Sequence, residues 1–297
     1  MTREPILIIA YNKPDLLSES LAKLHSITQG KIYVHIDGPK ENARSKDLFL
    51  ECKSVVKNAS LKNPQIISKV REVNLGGQFG VLEAIDWFFE NETFGIILEE
   101  DIGFGNGIFQ FVSHYKSQVI ENKRFALCFF NPGIELDKDF ILSHWLPWGW
   151  ATNAENWLAI AGEVRNPEII VKRTFNGSPA SRFAVRHYLN SIIKKVKFGK
   201  VRTWDAQVHA ALLNHRFTCV FPSKSLTRHL GIRPEATHAD LVDWWEHINI
   251  SEYEGGELVG LDDSNNKEFE KLWRMSRKAL LSNTLHSFLS MFGSNRL

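Results

Sequence analysis

Short, unbroken apolar runs recur through the first 130 residues, each followed by a polar turn and then by helical periodicity. The first is Pro5-Ile6-Leu7-Ile8-Ile9-Ala10. A strand with one wet face alternates apolar and polar residues. A continuous run is apolar on both faces, which is the requirement of a strand inside a parallel sheet covered by helices on each side. The turn Asn12-Lys13-Pro14-Asp15 then leads into a helix with Leu17, Leu21 and Leu24 on one face, Pro14 suiting its first turn. Lys31 to Ile36 is a second strand, closed by the turn residues Asp37-Gly38-Pro39. A polar helix from Ala43 to Asn58 and a short strand from Gln65 to Val70 follow. Asn74-Leu75-Gly76-Gly77 opens a helix carrying Val81, Leu82, Ile85, Phe88 and Phe89. Phe94 to Leu98 is another buried strand, ending at Glu99-Glu100-Asp101. Ile108, Phe111, Val112, Tyr115 and Val119 mark the next helix, and Phe125 to Phe130 the next strand. Strand alternating with helix implies βαβ units. The fold class is therefore α/β, with a mostly parallel central sheet flanked by helices.

Beyond residue 130 the texture changes. Leu142 to Trp157 is dense in aromatics interrupted by Pro and Gly, and most of the nine tryptophans fall between Trp145 and Trp245, which suggests an aromatic-lined groove. Residues 166–201 are basic and mixed, either acceptor-side helices or a loop. Thr203 to Leu213 reads as a helix and Phe217 to Phe221 as a short strand; from Asp240 onward the pattern is that of a helical tail.

Several function classes are disfavoured. The 36 Lys and Arg nearly balance the 34 Asp and Glu, so net charge gives no reason to expect a nucleic-acid partner. Cys52, Cys128 and Cys219 lie far apart without metal spacing, and are expected to be buried thiols in a reducing compartment. The apolar stretch Ile6 to Ala10 is too short for a signal peptide, and no run of about 18 apolar residues exists to span a membrane. The expected location is the cytoplasm.

Three consecutive carboxylates directly after a buried strand, Glu99-Glu100-Asp101, are the strongest local feature. Ligands bind at the carboxyl ends of strands in open parallel sheets. Carboxylates crowded there repel one another unless a cation is present, and Mg2+ or Mn2+ favours oxygen ligands shared with a diphosphate. The alternative is a solvated acidic turn. Asp37, Asn12 and Lys13 also end strands on that edge, which favours a nucleotide-diphosphate site. Asp205, opening a helix after Trp204, reads in isolation as a cap. His229 is a metal candidate or a loop histidine, and Trp148-Gly149-Trp150 either stacks on a sugar or packs in the core.

Taken in order from Pro5 to about Thr237, these pieces resemble GT-A glycosyltransferases, a Rossmann-like fold, and specifically the N-acetylglucosaminyltransferase I family and its bacterial sugar-transferase relatives. The resemblance implies a nucleotide-sugar-binding half over 1–130, an acceptor-binding and catalytic half over 131–240, and a helical tail over 241–297. It places Asn12, Lys13, Asp37, Asn74, Glu99 and Glu100 at the nucleotide-sugar. Asp101 becomes the ligand of Mn2+ or Mg2+ with His229 supporting it, Trp148, Gly149 and Trp150 lie near donor sugar and acceptor, and Asp205 is the catalytic base. Glu100 stands at the middle of the acidic motif and Lys13 where the animal enzymes carry arginine.

The implied reaction is an inverting transfer from a nucleotide-diphosphate sugar, expected to be a UDP-sugar, to a hydroxyl of a glycan or lipid-linked acceptor. Two other classes compete. A sugar-1-phosphate nucleotidyltransferase would normally carry a glycine-rich phosphate loop where this chain has Tyr11-Asn12-Lys13-Pro14-Asp15; a carbohydrate-binding protein would use the tryptophans alone. Phe269 to Phe288 is apolar at helical spacing among Lys271, Arg274, Arg277 and Lys278. Such a helix packs on its own domain or a second subunit, or lies on an anionic membrane as a peripheral contact. The oligomeric state is not set by the sequence.

Overall fold

The structure, a computed structural model, describes residues 3–122, 124–131, 133, 136–166, 168–172, 179–201, 203–231 and 248–260. The first half runs β1 (Ile6–Ala10), α1 (Pro14–Ile27), β2 (Ile32–Ile36), α2 (Ala43–Lys62), β3 (Ile66–Val70), α3 (Gly76–Phe89), β4 (Phe94–Glu99), β5 (Ile102–Phe104), α4 (Gly107–Ile120) and β6 (Ala126–Cys128). The second half adds β7 (Asp139–Leu142), β8 (Trp150–Asn153), α5 (Ala154–Arg165), α6 (Pro179–Lys197), α7 (Asp205–His215), β9 (Cys219–Phe221), β10 (Thr227–His229) and β11 (Leu258–Gly260).

Nine strands form one sheet in the order β11-β7-β9-β6-β8-β4-β1-β2-β3, while β10 and β5 make a small antiparallel pair beside it. β3, β2, β1 and β4 are mutually parallel; β8 then enters antiparallel between β4 and β6. The apolar runs behave as their composition demands, since β1 and β2 are buried at every position. Their side chains divide by parity between two cores. Leu7, Ile9 and Ile97 face the core shared with α3, α5, α6 and α7, whereas Ile6, Ile8, Ala10, Ile96 and Leu98 face α1, α2 and α4. The boundary at residue 130 falls within this continuous sheet.

Pro14 occupies the first turn of α1, where its missing N–H costs nothing. Asn42 and Asn153 cap α2 and α5 by accepting from the N–H of Ser45 and Asn156. The aromatic-dense segment contains β8 and leads directly into α5, and the basic stretch contains the 19-residue helix α6.

One expectation is corrected. The stretch 248–260 of the helical tail contains no helix and ends in β11, which adds to β7 in parallel register. Gly255 and Gly256 oppose helix here, and a Cβ at Gly256 would lie 2.9 Å from Oδ2 of Asp139. The amphipathic segment Phe269 to Phe288 lies outside the described residues. Among those described, no helix is long and apolar enough to cross a membrane. Cys52, Cys128 and Cys219 are all buried free thiols.

Candidate functional site

The chain steps from β1 outward to β2 and β3, then returns across β1 to β4. This reversal opens a crevice at the carboxyl ends of β1 and β4, the position where open α/β sheets receive ligands. Residues 11–13 and 99–101 lie on its two lips, and Glu100 ties the lips together. Its buried carboxylate accepts from the backbone N–H of Tyr11 at 3.0 Å and of Asn12 at 3.1 Å. Burial pushes the Glu100 pKa up, against the pull of Lys13 and these two amides. Glu100 thus shapes the loop after β1.

Asp101 turns the other way. Its Oδ2 lies 2.6 Å from Nζ of Lys13 and 3.6 Å from Nε2 of His229. Burial works against the Lys13 ammonium, but Asp101, Glu100 and Glu99 outweigh it and hold its pKa above the ordinary lysine value. The cation demanded by the crowded carboxylates is, in this structure, Lys13. His229 reaches Asp101 because β10 pairs with β5 in register His229 to Ile102, and Leu230 N–H donates to the Asp101 carbonyl at 2.7 Å. Gly231 packs so tightly on this carboxylate that any Cβ there would overlap Oδ2. Burial and Lys13 depress the His229 pKa despite Asp101. The neutral ring accepts from Gly231 N–H at Nδ1, 3.2 Å, which leaves its proton on Nε2, facing Asp101.

Glu99 follows the parity of Ile97 and therefore projects to the sheet face that carries α7. Burial, then Asp101 and Asp205, push its pKa up to about 8. Asp205 begins α7, where its Oδ1 accepts from the Ala206 N–H at 2.8 Å and from the Thr203 hydroxyl. Oδ1 is thereby held in place by two donors. Tyr188 of α6 also senses this group: burial and then Asp205 raise its pKa to about 12. Sequence reasoning missed Tyr188, whose only signal was a tyrosine in a basic helix of unassigned face.

Asp37 and Asn74 form a separate arrangement. The buried Asp37 carboxylate accepts from Gly38, Leu75 and Gly76 N–H, each at 2.9 Å, and from the Asn74 side-chain amide at 3.1 Å. Asn74 also donates to the Gly38 carbonyl at 2.6 Å. Asp37 caps α3 from a distance, joining the end of β2 to that helix. Four donors occupy its acceptor positions.

The aromatic loop divides. Trp150 is fully buried, packed against Phe125 and edge-on to Trp145, so it takes the core-packing alternative. Gly149 adopts φ 89°, a left-handed conformation, with Thr227, Leu98 and Phe129 crowding the place a Cβ would take. Trp148 is half-buried, its ring 6.3 Å from that of His229, and its carbonyl accepts from the Thr227 hydroxyl. Of the three, Trp148 borders the crevice.

Among the described residues, no three His, Cys, Asp or Glu side chains converge as an all-protein metal cage. Asp101 supplies one carboxylate, and His229 supplies one imidazole nitrogen once its proton passes from Nε2 to Nδ1 and the Gly231 N–H bond to Nδ1 is given up. That donor set suits a divalent ion whose remaining positions are filled by diphosphate oxygens and water.

No protein-family model matches the sequence, and no curated protein matches it. Among solved structures, the chain is similar to mannosyltransferase PcManGT from Pyrobaculum calidifontis in complex with GDP-Man and Mn2+, at TM-score 0.39 and 10% identity over 70% of this chain and 68% of that one. It is similar to mannose-1-phosphate geranyltransferase from Thermus thermophilus at TM-score 0.39 and 10% identity, over 74% of each chain. The apo-form glycosyltransferase GlyE of Streptococcus pneumoniae gives TM-score 0.36 and 12% identity, over 73% of this chain and 45% of that one.

Proposed function

We propose that the chain is a metal-dependent glycosyltransferase that moves a sugar from a nucleotide diphosphate to an acceptor hydroxyl with inversion. The observation that carries this reading is the meeting of Lys13, Asp101 and His229 at the β1/β4 crevice, with Asp205 on the neighbouring face. A cation, a carboxylate and a neutral imidazole together match a diphosphate and its counter-ion. Asp101 and His229 would hold Mn2+ or Mg2+ there, which when bound neutralises charge on the departing diphosphate.

Lys13 then turns from Asp101 toward phosphate oxygens, and the N–H groups fixed by Glu100 keep the loop after β1 in a binding shape. His229 offers its Nε2 proton to the same oxygens when it is not a ligand. Asp205 takes the acceptor's hydroxyl proton at Oδ2, its Oδ1 already anchored by Thr203 and Ala206. Glu99 and Tyr188 border that position, and Trp148 offers a ring face to a sugar. Asp37 and Asn74 support the nucleotide side by fixing the start of α3.

The test is a panel of UDP-, GDP- and dTDP-sugars, scored for thermal stabilisation and hydrolysis with Mn2+ and with EDTA. At least one donor should stabilise the protein only when metal is present. Asp205→Asn should lose turnover by a factor of about 10² or more while keeping donor binding. Metal-independent binding to every donor, or full turnover in Asp205→Asn, would overturn the reading. Release of pyrophosphate from a nucleoside triphosphate and a sugar phosphate would instead identify a nucleotidyltransferase.

A further inference from the structure

From Ile169 to Trp204 the chain contains nine basic residues and no acidic one, so the rest of the molecule holds 27 basic against 34 acidic residues. A nearly neutral protein thus carries a local excess of positive charge in one segment, five of its nine cations on α6. That helix packs on α7, with Val185, Leu189 and Ile193 in the core they share and Val196 also buried. At about 100° per residue, Phe183, His187, Lys194 and Phe198 fall within a narrow arc on the opposite face. The arc extends past the helix end because Phe198 N–H still donates to the Lys194 carbonyl at 3.2 Å. Phe183 is 71% exposed and Phe198 62% exposed. They stand about 22 Å apart along the axis. Ile170, 54% exposed, lies alongside, because Val171 N–H donates to the Asn190 side chain.

We propose that the outer face of α6 docks on an anionic lipid surface, with Phe183 and Phe198 entering the interface and Lys194, Lys200 and the flanking Arg186 meeting lipid phosphates. Charge complementarity selects an anionic partner, since the only α6 ion pair among the described residues joins Lys197 to Glu168. The exposed rings select a membrane over a soluble polyanion. A phenyl ring gains by leaving water for the acyl boundary, whereas a nucleic-acid backbone offers it no comparable burial. A straight stripe with a ring at each end, Lys194 between them and Arg186 on its flank also suits a planar surface.

The docking surface stands apart from the transferase reading; only its use for a lipid-linked acceptor rests on that reading. The connection is spatial. Tyr188 sits on the flank of α6 toward Asp205, so a surface-held acceptor would be presented beside the assigned base.

Full-length protein should co-sediment with vesicles of phosphatidylcholine mixed with phosphatidylglycerol, and not with phosphatidylcholine alone. Each cation near an anionic surface strengthens partitioning about fivefold. Arg186→Glu combined with Lys194→Glu should therefore weaken binding more than tenfold at low salt, and less at high salt. Phe183→Ser with Phe198→Ser should weaken binding at both salt concentrations. Circular dichroism checks folding, and the highly exposed phenylalanine pair carries the test should the charge reversals unfold the chain. Unchanged vesicle binding in both variants, or no binding by the parent protein, overturns the proposal. So does a result in which heparin and vesicles compete for Arg186 and Lys194 while the phenylalanine variant binds vesicles normally, because that describes a polyanion site. Metal-dependent donor binding, measured on the same samples, reports separately on the transferase reading.

Discussion

Nζ of Lys13 and Oδ2 of Asp101 stand 2.6 Å apart across the crevice between the first and fourth strands, largely withdrawn from water. The pair joins the only cation on one lip to the last of three carboxylates on the other. Lys13→Met should strip Asp101, Glu100 and Glu99 of this compensation and cost about 1–2 kcal/mol, below the range for a fully buried pair because the lysine is partly exposed. The loss should be read as a fall in Tm in EDTA. Because Asp101 is then free of the ammonium, Mn2+ alone should stabilise the variant more than the parent. Equal stabilisation of both proteins by Mn2+ would count against Asp101 as the metal ligand.

Asp37 makes a sharper case for separating structure from binding. Its four donors come from Gly38 and from the start of α3, so Asp37→Ala should leave three backbone N–H groups short of an acceptor. The expected cost is about 2–3 kcal/mol in urea unfolding. Gly80→Ala should act through the same group, since its Cβ would lie 3.0 Å from Cγ and Oδ2 of Asp37. A fully stable Asp37→Ala with weakened donor binding would instead assign this carboxylate to the nucleotide.

The alternating half of the fold was legible because its strands are doubly buried and its helices one-sided, and each property leaves a mark on composition. β1, β2 and β4 begin within one residue of the apolar runs that announce them. β5, β7, β8 and β10 have three or four residues each, too few for a period to establish itself. Asp101, Lys13 and His229 were legible as strand-end residues. The separate fates of Glu99, Glu100 and Asp101 were not, because they depend on side-chain parity and on donors from residues 11–13. The basic composition of residues 166–201 was legible, but the side of α6 that faces solvent was not, because it depends on which residues pack on α7.

His35 gives a prediction in pH. It is fully buried on β2, its ring 6.3 Å from Trp87, and neither ring nitrogen has a hydrogen-bond partner among the described residues. Burial depresses its pKa from the ordinary 6.5 to about 4; Lys69 and Arg71 add to the depression, while Glu83 and Asp37 oppose it. Between those two values the unfolded chain takes up a proton that the folded protein refuses. Stability should therefore fall as pH drops from about 6.5 toward 4, by on the order of 1–3 kcal/mol from this residue. His209, also pushed down to about 4 by burial, titrates in the same window, so the comparison must be between parent and variant. His35→Leu should flatten the acid limb of a Tm-against-pH curve and raise Tm at pH 5. An unchanged slope would show that His35 is not the group responsible.

The non-helical stretch 248–260 is held to the sheet by a buried carboxylate, and that clasp reaches the candidate site. Asp139 is fully buried and accepts from Ser223 N–H at 2.7 Å and from the Tyr253 hydroxyl at 2.9 Å. Tyr115 donates to the Gly256 carbonyl at 2.8 Å. Burial and the Asp139 charge raise the pKa of both tyrosines, so neither ionises in the neutral range. Ser251 N–H donates to the Ser225 carbonyl at 2.8 Å, and Ser225 and Leu226 lead into β10, which carries His229. Tyr253→Phe keeps the ring packed on Phe111 and removes one donor from Asp139. The change should cost about 1–3 kcal/mol locally, because a buried carboxylate loses a partner. Amide exchange should accelerate at Ser251 and at Leu258 to Gly260 while the β1–β4 strands remain protected. If 248–260 steadies β10, exchange at Leu230, whose N–H meets the Asp101 carbonyl, should rise with it; protection there equal to the parent's would uncouple the clasp from the crevice.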